Sequence, residues 1–253
     1  MDLFDLTGRR ALITGSSRGL GRVLADGLAR AGAEVVVNGR RSDAVREAVE
    51  GIQREGLRAR AAVFDVTVEE EVEEAVAAIE RDAGPVDVLV NNAGVNLRGL
   101  LADFATGRWH ELMAVNLHGV FHVCRAAGRR MVARGAGKVI NIASLMSEGG
   151  RPGVVPYAAS KGAVKMLTRA LAVEWGPHNV QVNAIGPGYF RTEMTRSLCE
   201  DESFDSWVRG RTPMRRWGEP AELIGAAVFL ASDASSFVNG QVLYVDGGWL
   251  ASL

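Results

Sequence analysis

Short runs of β-branched and aliphatic residues alternate with longer stretches of helical period along the whole chain. The runs are ALIT (11–14), EVVVN (34–38), RAAVFDV (60–66), VDVLVNN (86–92), KVINIAS (138–144), VQVNAI (180–185) and QVLYVD (241–246). Between them, Val72, Ala75, Val76 and Ile79 follow the i, i+3, i+4, i+7 helical template, as do Leu223, Ala226, Ala227 and Leu230. Seven strand candidates separated by helices imply right-handed crossovers and a parallel, doubly wound α/β sheet with helices on both faces. No linker, repeat or low-complexity segment interrupts the pattern, so residues 1–253 are expected to form a single domain with a substantial core. Such a sheet binds ligands at the carboxyl ends of its strands, where Gly15, Asp65, Asn92, Ser144 and Gly186 fall.

The first run leads into TGSSRGLG (14–21), and Leu20, Val23, Leu24 and Leu28 begin a helical stripe at once. A strand, a glycine-rich turn and a helix N-terminus in that order form an anion site of backbone N–H groups and helix dipole, a Rossmann-like arrangement. The spacing of Gly15, Gly19 and Gly21 is looser than G-x-G-x-x-G, and a flexible turn is the plain alternative. Farther on, Tyr157 and Lys161 share one helical face. A phenol of pKa about 10 is a poor catalyst near neutrality, and a nearby ammonium favours the phenolate and lowers that value. Ser144, closing a strand, stands where a hydroxyl can hold a carbonyl oxygen. Alone, such a pair is equally a half-buried tyrosine followed by a solvated lysine.

Charge and cysteine content narrow the classes. The net charge is −1 with no long block of one sign, which points away from nucleic acid and anionic membranes. The start, MDLFDLTGRR, lacks an apolar core, and no apolar run approaches the roughly eighteen residues of a membrane span. Cys124 and Cys199 lie far apart in unlike surroundings, so a soluble protein in a reducing cytoplasm is expected. His118 and His122 have helical metal-ligand spacing without a nearby carboxylate, and are read as packing or interface residues; no metal site is expected. The acidic VEEEVEEA (68–75) opens a helix, where negative charge suits the dipole.

TGSSRGLG, Asp65, NNAG (91–94), Asn116, Ser144, YAASK (157–161) and PGYFRT (187–192), in this order and spacing, resemble the short-chain dehydrogenase/reductase family over the whole length. The resemblance implies a nicotinamide-dependent enzyme that interconverts a secondary alcohol and a ketone. In such an enzyme Tyr157 is the acid–base, Lys161 lowers its pKa and holds the nicotinamide ribose, Ser144 binds the reacting oxygen, and Asn116 orders a water relay. The cofactor would lie on Gly15, Ser17, Arg18, Gly19, Leu20 and Gly21, on Asp65 and Val66, on Asn91, Asn92, Ala93 and Gly94, and on Pro187, Gly188, Phe190 and Thr192, besides Tyr157 and Lys161. At the second strand, Gly39 stands where NAD enzymes carry an acidic residue, and Arg40 follows it. With Arg18 it offers guanidinium groups to a 2′-phosphate, so NADP is expected over NAD, unless the arginines are merely solvated. A homotetramer is also implied.

VNGR (37–40), FDVT (64–67), SEGGRPGVVPY (147–157), RWGEP (216–220) and SSFVNGQV (235–242) are similar to the branch of the family that acts on gluconate. That similarity implies a polyol acid oxidised to its 5-keto acid, or the reverse reduction. The substrate carboxylate needs a cation, and Arg98 and Arg151 are the arginines near the expected mouth; either is alternatively a surface residue paired with Glu148 or Asp103. A mobile segment at about 189–215 is expected to close over the site. The rival readings are a 3-oxoacyl carrier-protein reductase, another sugar or alcohol dehydrogenase, and a dinucleotide-binding regulator without turnover.

Overall fold

The computed structural model describes residues 2–252. Strands β1 (Arg10–Ile13), β2 (Glu34–Gly39), β3 (Ala59–Val63), β4 (Val88–Asn91), β5 (Gly137–Ile142), β6 (Val180–Pro187) and β7 (Val242–Val245) form one sheet in the order β3-β2-β1-β4-β5-β6-β7. Every neighbouring pair is parallel, as the alternation of runs and helices predicts. Helices α1 (Gly19–Arg30), α2 (Ser42–Arg54), α3 (Glu69–Ala83), α4 (Thr106–Met113), α5 (Gly119–Arg134), α6 (Val155–Trp175), α7 (Arg196–Cys199), α8 (Glu202–Arg211) and α9 (Ile224–Ala231) fill the connections.

The pleat divides the core into two layers. Ala11, Ile13, Val35, Val37, Val88 and Val90 face α1, α2 and α9, where Leu24, Leu28, Val45, Ile52, Ala227 and Leu230 meet them. The intervening Leu12, Val36 and Leu89 face the other way, onto Val72 and Val76 of α3, Val123 and Met131 of α5, and Val164 and Trp175 of α6. Burial on both faces explains why these strands read as unbroken apolar runs. The strand order reverses between β1 and β4, and the crevice outside the carboxyl ends of these two strands is where a doubly wound sheet takes its ligand. Among the described residues no helix is long and apolar enough to cross a membrane.

Candidate active site

The glycine-rich turn after β1 is shaped for close approach. Gly15 has φ 61°, and a Cβ there would stand 2.9 Å from the Cα of Ala93. A Cβ on Gly21 would lie 2.5 Å from the Gly15 carbonyl and on top of the Asn92 side chain. That side chain donates from Nδ2 to Thr14 O at 2.9 Å and Gly15 O at 3.1 Å, while Thr14 Oγ1 accepts from the backbone of Asn92 at 3.0 Å and Ala93 at 3.1 Å. The NNAG loop and the glycine turn are thereby fixed to each other. Helix α1 starts with the extended Arg18 as its N-cap, without a side-chain cap and without an acidic residue in its first turn. Its leading N–H groups and dipole thus face the crevice without a protein carboxylate, which fits a pyrophosphate. Leu20, Asn92 and Pro187 line one small pocket with Leu24 and Ile142.

Three side chains assigned to this surface point elsewhere. Asn91 follows Val90 on β4, and the pleat turns its amide to the α5 side, where it donates to Asn141 Oδ1 at 2.8 Å and contacts Cys124 Sγ at 3.1 Å. Val66 packs against α5 in the same layer, and Phe190 is buried in the opposite layer against Gly218. Only backbone atoms of these residues remain for a ligand. Thr192 forms a capping box with Thr195, whose hydroxyl accepts from Thr192 N at 2.9 Å.

At the end of β2, Gly39 leaves the edge of the crevice without a carboxylate. Arg40 extends beside it, 74% exposed and 3.5 Å from Asp65, and Arg18 is 80% exposed and 3.5 Å from Glu193. Ion pairs this exposed and this long hold their members weakly, so both guanidinium groups are available to a phosphate. The other Asp65 oxygen accepts from Thr67 N at 2.9 Å and Thr67 Oγ1 at 2.8 Å.

The chemical groups gather beyond β5. Ser144 follows the strand, and its Oγ accepts from Met146 N at 3.2 Å. Tyr157 and Lys161 stand one turn apart on α6, with Lys161 Nζ 5.8 Å from the Tyr157 ring centroid and donating to Ile142 O at 2.6 Å. Part of Tyr157 remains accessible from the cleft, while Lys161 is buried. Burial pushes the Tyr157 phenol above its ordinary value, against a hydrogen bond with Ser144; the Tyr189 phenol adds to the rise and the Arg98 charge opposes it. Burial also brings Lys161 down to about 8. The expected lowering of the phenol by the ammonium is therefore not the balance in the free protein, because desolvation dominates both groups.

Asn116 is fully buried in a π-helical turn, Ala114–His118, between α4 and α5. Its Oδ1 accepts from Val95 N at 2.8 Å, and its Nδ2 donates to Val95 O at 2.9 Å and Ser160 Oγ at 3.1 Å. Ser160 in turn donates to Tyr157 O at 2.8 Å. Both amide hydrogens are thus engaged, so the side chain ties the segment after NNAG to the helix carrying Tyr157 and has no hydrogen left for a water relay. π-Turns recur at functional sites. Val95 and Ser160 escaped the sequence analysis, since only folding brings them to Asn116.

The mouth is formed by two loops joined by a bond from Gly99 N to Gly153 O at 3.1 Å. This brings Arg98 and Arg151 together. Among the described residues neither has an ion-pair partner; Glu148 instead accepts from Lys165 at 2.5 Å and from the Tyr244 hydroxyl at 2.6 Å. Burial lowers the pKa of Arg98 and the charge of Arg151 lowers it further, against the phenols of Tyr189 and Tyr157. Tyr189, directly after the Pro187–Gly188 pair, also went unassigned. The segment 189–215, expected to be mobile, holds a 3-10 turn, Glu193–Thr195, and helices α7 and α8. Asp201 caps α8 by accepting from Ser203 N at 3.0 Å and Phe204 N at 3.1 Å, and Trp217 Nε1 donates to Asp205 at 2.8 Å.

Comparison with known proteins agrees with this arrangement. A family profile described as Enoyl-(Acyl carrier protein) reductase matches residues 15–250. The gluconate 5-dehydrogenase of Gluconobacter oxydans is 56% identical over 252 residues, 100% of this chain and 98% of its own. The 5-keto-D-gluconate 5-reductase of Escherichia coli is 54% identical, covering 100% and 99% of the two chains. A crystal structure of a gluconate 5-dehydrogenase from Burkholderia cenocepacia, in complex with NADP and tartrate, superposes with a TM-score of 0.98 at 50% identity, covering 100% of this chain and 99% of that one. With a Tyr157–Lys161 pair and Ser144 at the mouth of a parallel sheet, a glycine turn on an uncapped helix and full-length relatives of this kind, the chain belongs to the short-chain dehydrogenase/reductase family.

Proposed function

We propose that this protein is an NADP-dependent oxidoreductase interconverting D-gluconate and 5-dehydro-D-gluconate. The observation that carries the substrate class is the meeting of two arginines without a carboxylate partner beside Tyr157 and Tyr189, a cationic mouth on a site otherwise furnished with hydroxyls. The full-length relatives named for this reaction support it. NADP fits the residues present: the Gly15 and Gly21 cradle that a Cβ would fill, the open N-terminus of α1 with the exposed Arg18 as its N-cap, and a β2 end that lacks a carboxylate but is followed by the exposed Arg40. When bound, NADP supplies the acceptor, or in reduced form the donor, of the hydride.

The side chains of the protein handle the proton and the orientation. In oxidation, Ser144 Oγ holds the substrate oxygen and Tyr157 takes its proton as the carbonyl forms; in reduction, the phenol returns a proton to the alkoxide. Lys161, between Ile142 O and the Tyr157 ring, stabilises negative charge as it develops on the phenol and reaches the ribose side of the cofactor site. Asn116 is a positioning residue, holding α6 through Ser160. Arg98 and Arg151 bind the carboxylate at the far end of the substrate. We place the enzyme in the cytoplasm and infer a homotetramer; the exposed Met166 and Val173 on α6 are apolar surface suited to contact between copies.

An NADP-coupled screen with purified protein tests this reading. Gluconate, or 5-dehydrogluconate with NADPH, is expected to give the largest kcat/KM, and a 3-oxoacyl thioester a negligible one. Reversal of that order would move the protein to the acyl-reducing class.

A further inference from the structure

The aromatic residues of α8 stand in an unusual relation to the arginine at the mouth. The Arg151 guanidinium carbon lies 4.8 Å from the ring centroid of Phe204 and 5.8 Å from that of Trp207, both on α8. Its Nε is buried with no hydrogen-bond partner. Neither Arg151 nor its neighbour Arg98 is neutralised by a carboxylate among the described residues, and Arg98 feels the charge of Arg151. The rings that hold Arg151 are part of a larger group: Tyr189 stacks edge-on to Phe204, Trp207 and Trp217 at centroid distances of 5.8, 5.9 and 5.6 Å, and Trp207 meets Trp249 at 5.1 Å. Among the described residues no aromatic ring is recorded under the Arg98 guanidinium, whose charge acts on Tyr157.

We infer that Phe204 and Trp207 are positioning residues for substrate specificity, holding Arg151 opposite Arg98 so that a carboxylate fits between the two guanidinium groups. The inference rests on the polyol-acid reading above and assigns the acid contact to Arg151 as held by α8. A cation on an aromatic face keeps its N–H edge directed outward, so the rings retain the charge while leaving its donors to a carboxylate. An arginine held by a carboxylate would instead be neutralised and closed to the substrate. The like charge of Arg98 disfavours the paired arrangement in the free protein, and an acid anion between the two relieves that repulsion. Substrate charge is therefore read jointly by the loop of Arg151 and by helix α8, whose rings pack on its guanidinium. An uncharged polyol or ketone gains none of this.

The test compares gluconate with an uncharged ketone on five proteins: wild type, Arg151→Gln, Phe204→Leu, Phe204→Leu with Trp207→Leu, and Phe204→Tyr. Two readouts are taken, kcat/KM for each substrate and the calorimetric dissociation constant of gluconate on the NADP-bound enzyme. Arg151→Gln is expected to weaken gluconate binding by roughly tenfold to a hundredfold, as for loss of a charge-assisted contact. Phe204→Leu should weaken it by roughly threefold to thirtyfold, with the double variant at least as strong in effect. In each case the ratio of kcat/KM for gluconate to that for the ketone falls, and Phe204→Tyr, which keeps a ring under the guanidinium, restores it. NADP affinity measured on each variant identifies a misfolded protein, for which the Phe204→Tyr and Arg151→Gln comparison decides. If the leucine variants keep the wild-type ratio and gluconate affinity while Arg151→Gln loses both, α8 has no part in acid recognition. If Arg151→Gln also matches wild type, Arg151 has none. Either outcome overturns the inference with gluconate activity intact, whereas a wild-type enzyme inert towards gluconate overturns the substrate reading itself.

Discussion

Replacement of Tyr157 by Phe is expected to lower kcat for both directions by about a hundredfold to ten-thousandfold, the range of a lost general acid–base group. NADP binding should persist, because in the proposed site the phosphates, the adenine side and the 2′-phosphate would be held by the glycine turn, Asp65, Arg18 and Arg40. Lys161→Ala should reduce turnover and also weaken NADP binding, since in the proposed site Lys161 would serve both the phenol and the ribose side. The raised pKa of the phenol sets the sign of the pH dependence. Burial keeps Tyr157 protonated through neutral pH in the free enzyme, which is the form that gives a proton during reduction. Oxidation needs the deprotonated form. The kcat/KM for gluconate should therefore climb from neutral towards alkaline pH, while that for the keto acid stays level until the phenol begins to ionise. Steady-state profiles in both directions check this, and a Tyr157→Phe enzyme with near-normal turnover would contradict the assignment.

Cofactor preference should reverse in Gly39→Asp combined with Arg40→Leu. Arg40→Leu removes one charge-assisted contact to the 2′-phosphate, a loss of roughly tenfold to a hundredfold in NADP affinity. Adding a carboxylate at position 39 repels that phosphate and offers an acceptor to the 2′-hydroxyl of NAD, so the combined change in the NADP/NAD ratio should exceed either single effect. The fit is tight: a Cβ on Gly39 would stand 3.0 Å from Val45 Cγ2 and 3.1 Å from Ser17 Oγ. The half-buried Ser17 side chain can rotate away, whereas Val45 is in the core, so a few tenths of an ångström must come from the β2 end. Arg18→Leu should weaken NADP selectively as well. Dissociation constants for both cofactors measure the reversal; equal weakening towards both would mean a damaged loop.

How far the sequence carries depends on the range of the interaction concerned. The central strands are legible because burial on both faces writes them as apolar runs such as VVV (35–37) and VLV (88–90), the edge strands β3 and β7 are legible from their β-branched and aliphatic content although they are partly exposed, and parallel order follows from the helices between them. The Tyr157–Lys161 pair is legible because one helical turn fixes its geometry. The inward turn of Asn91 is not, since NNAG gives no indication of which face of β4 its first residue takes until the pleat is anchored by Val88 and Val90. The helices within the 189–215 segment go unread because α7 has four residues and α8 ten, too short for a persistent stripe. Arg98 and Arg151 stand out as candidates, but their convergence depends on the long-range Gly99–Gly153 bond, and the platform under Arg151 on the later packing of α8. The phenol's direction of shift is likewise a tertiary property: spacing places the ammonium near it, and only burial decides which influence is larger.

The central claim, hydride removal from the carbon that becomes the 5-keto group of an acid substrate, is tested most directly with gluconate deuterated at C5. Incubated with the enzyme and NADP, it should deliver the deuterium to the nicotinamide, yield 5-dehydrogluconate by carbon NMR, and show a lower rate than unlabelled gluconate wherever hydride transfer limits turnover. Unlabelled NADPH together with another keto acid, or no reaction with gluconate while a 3-oxoacyl thioester is reduced, would contradict it.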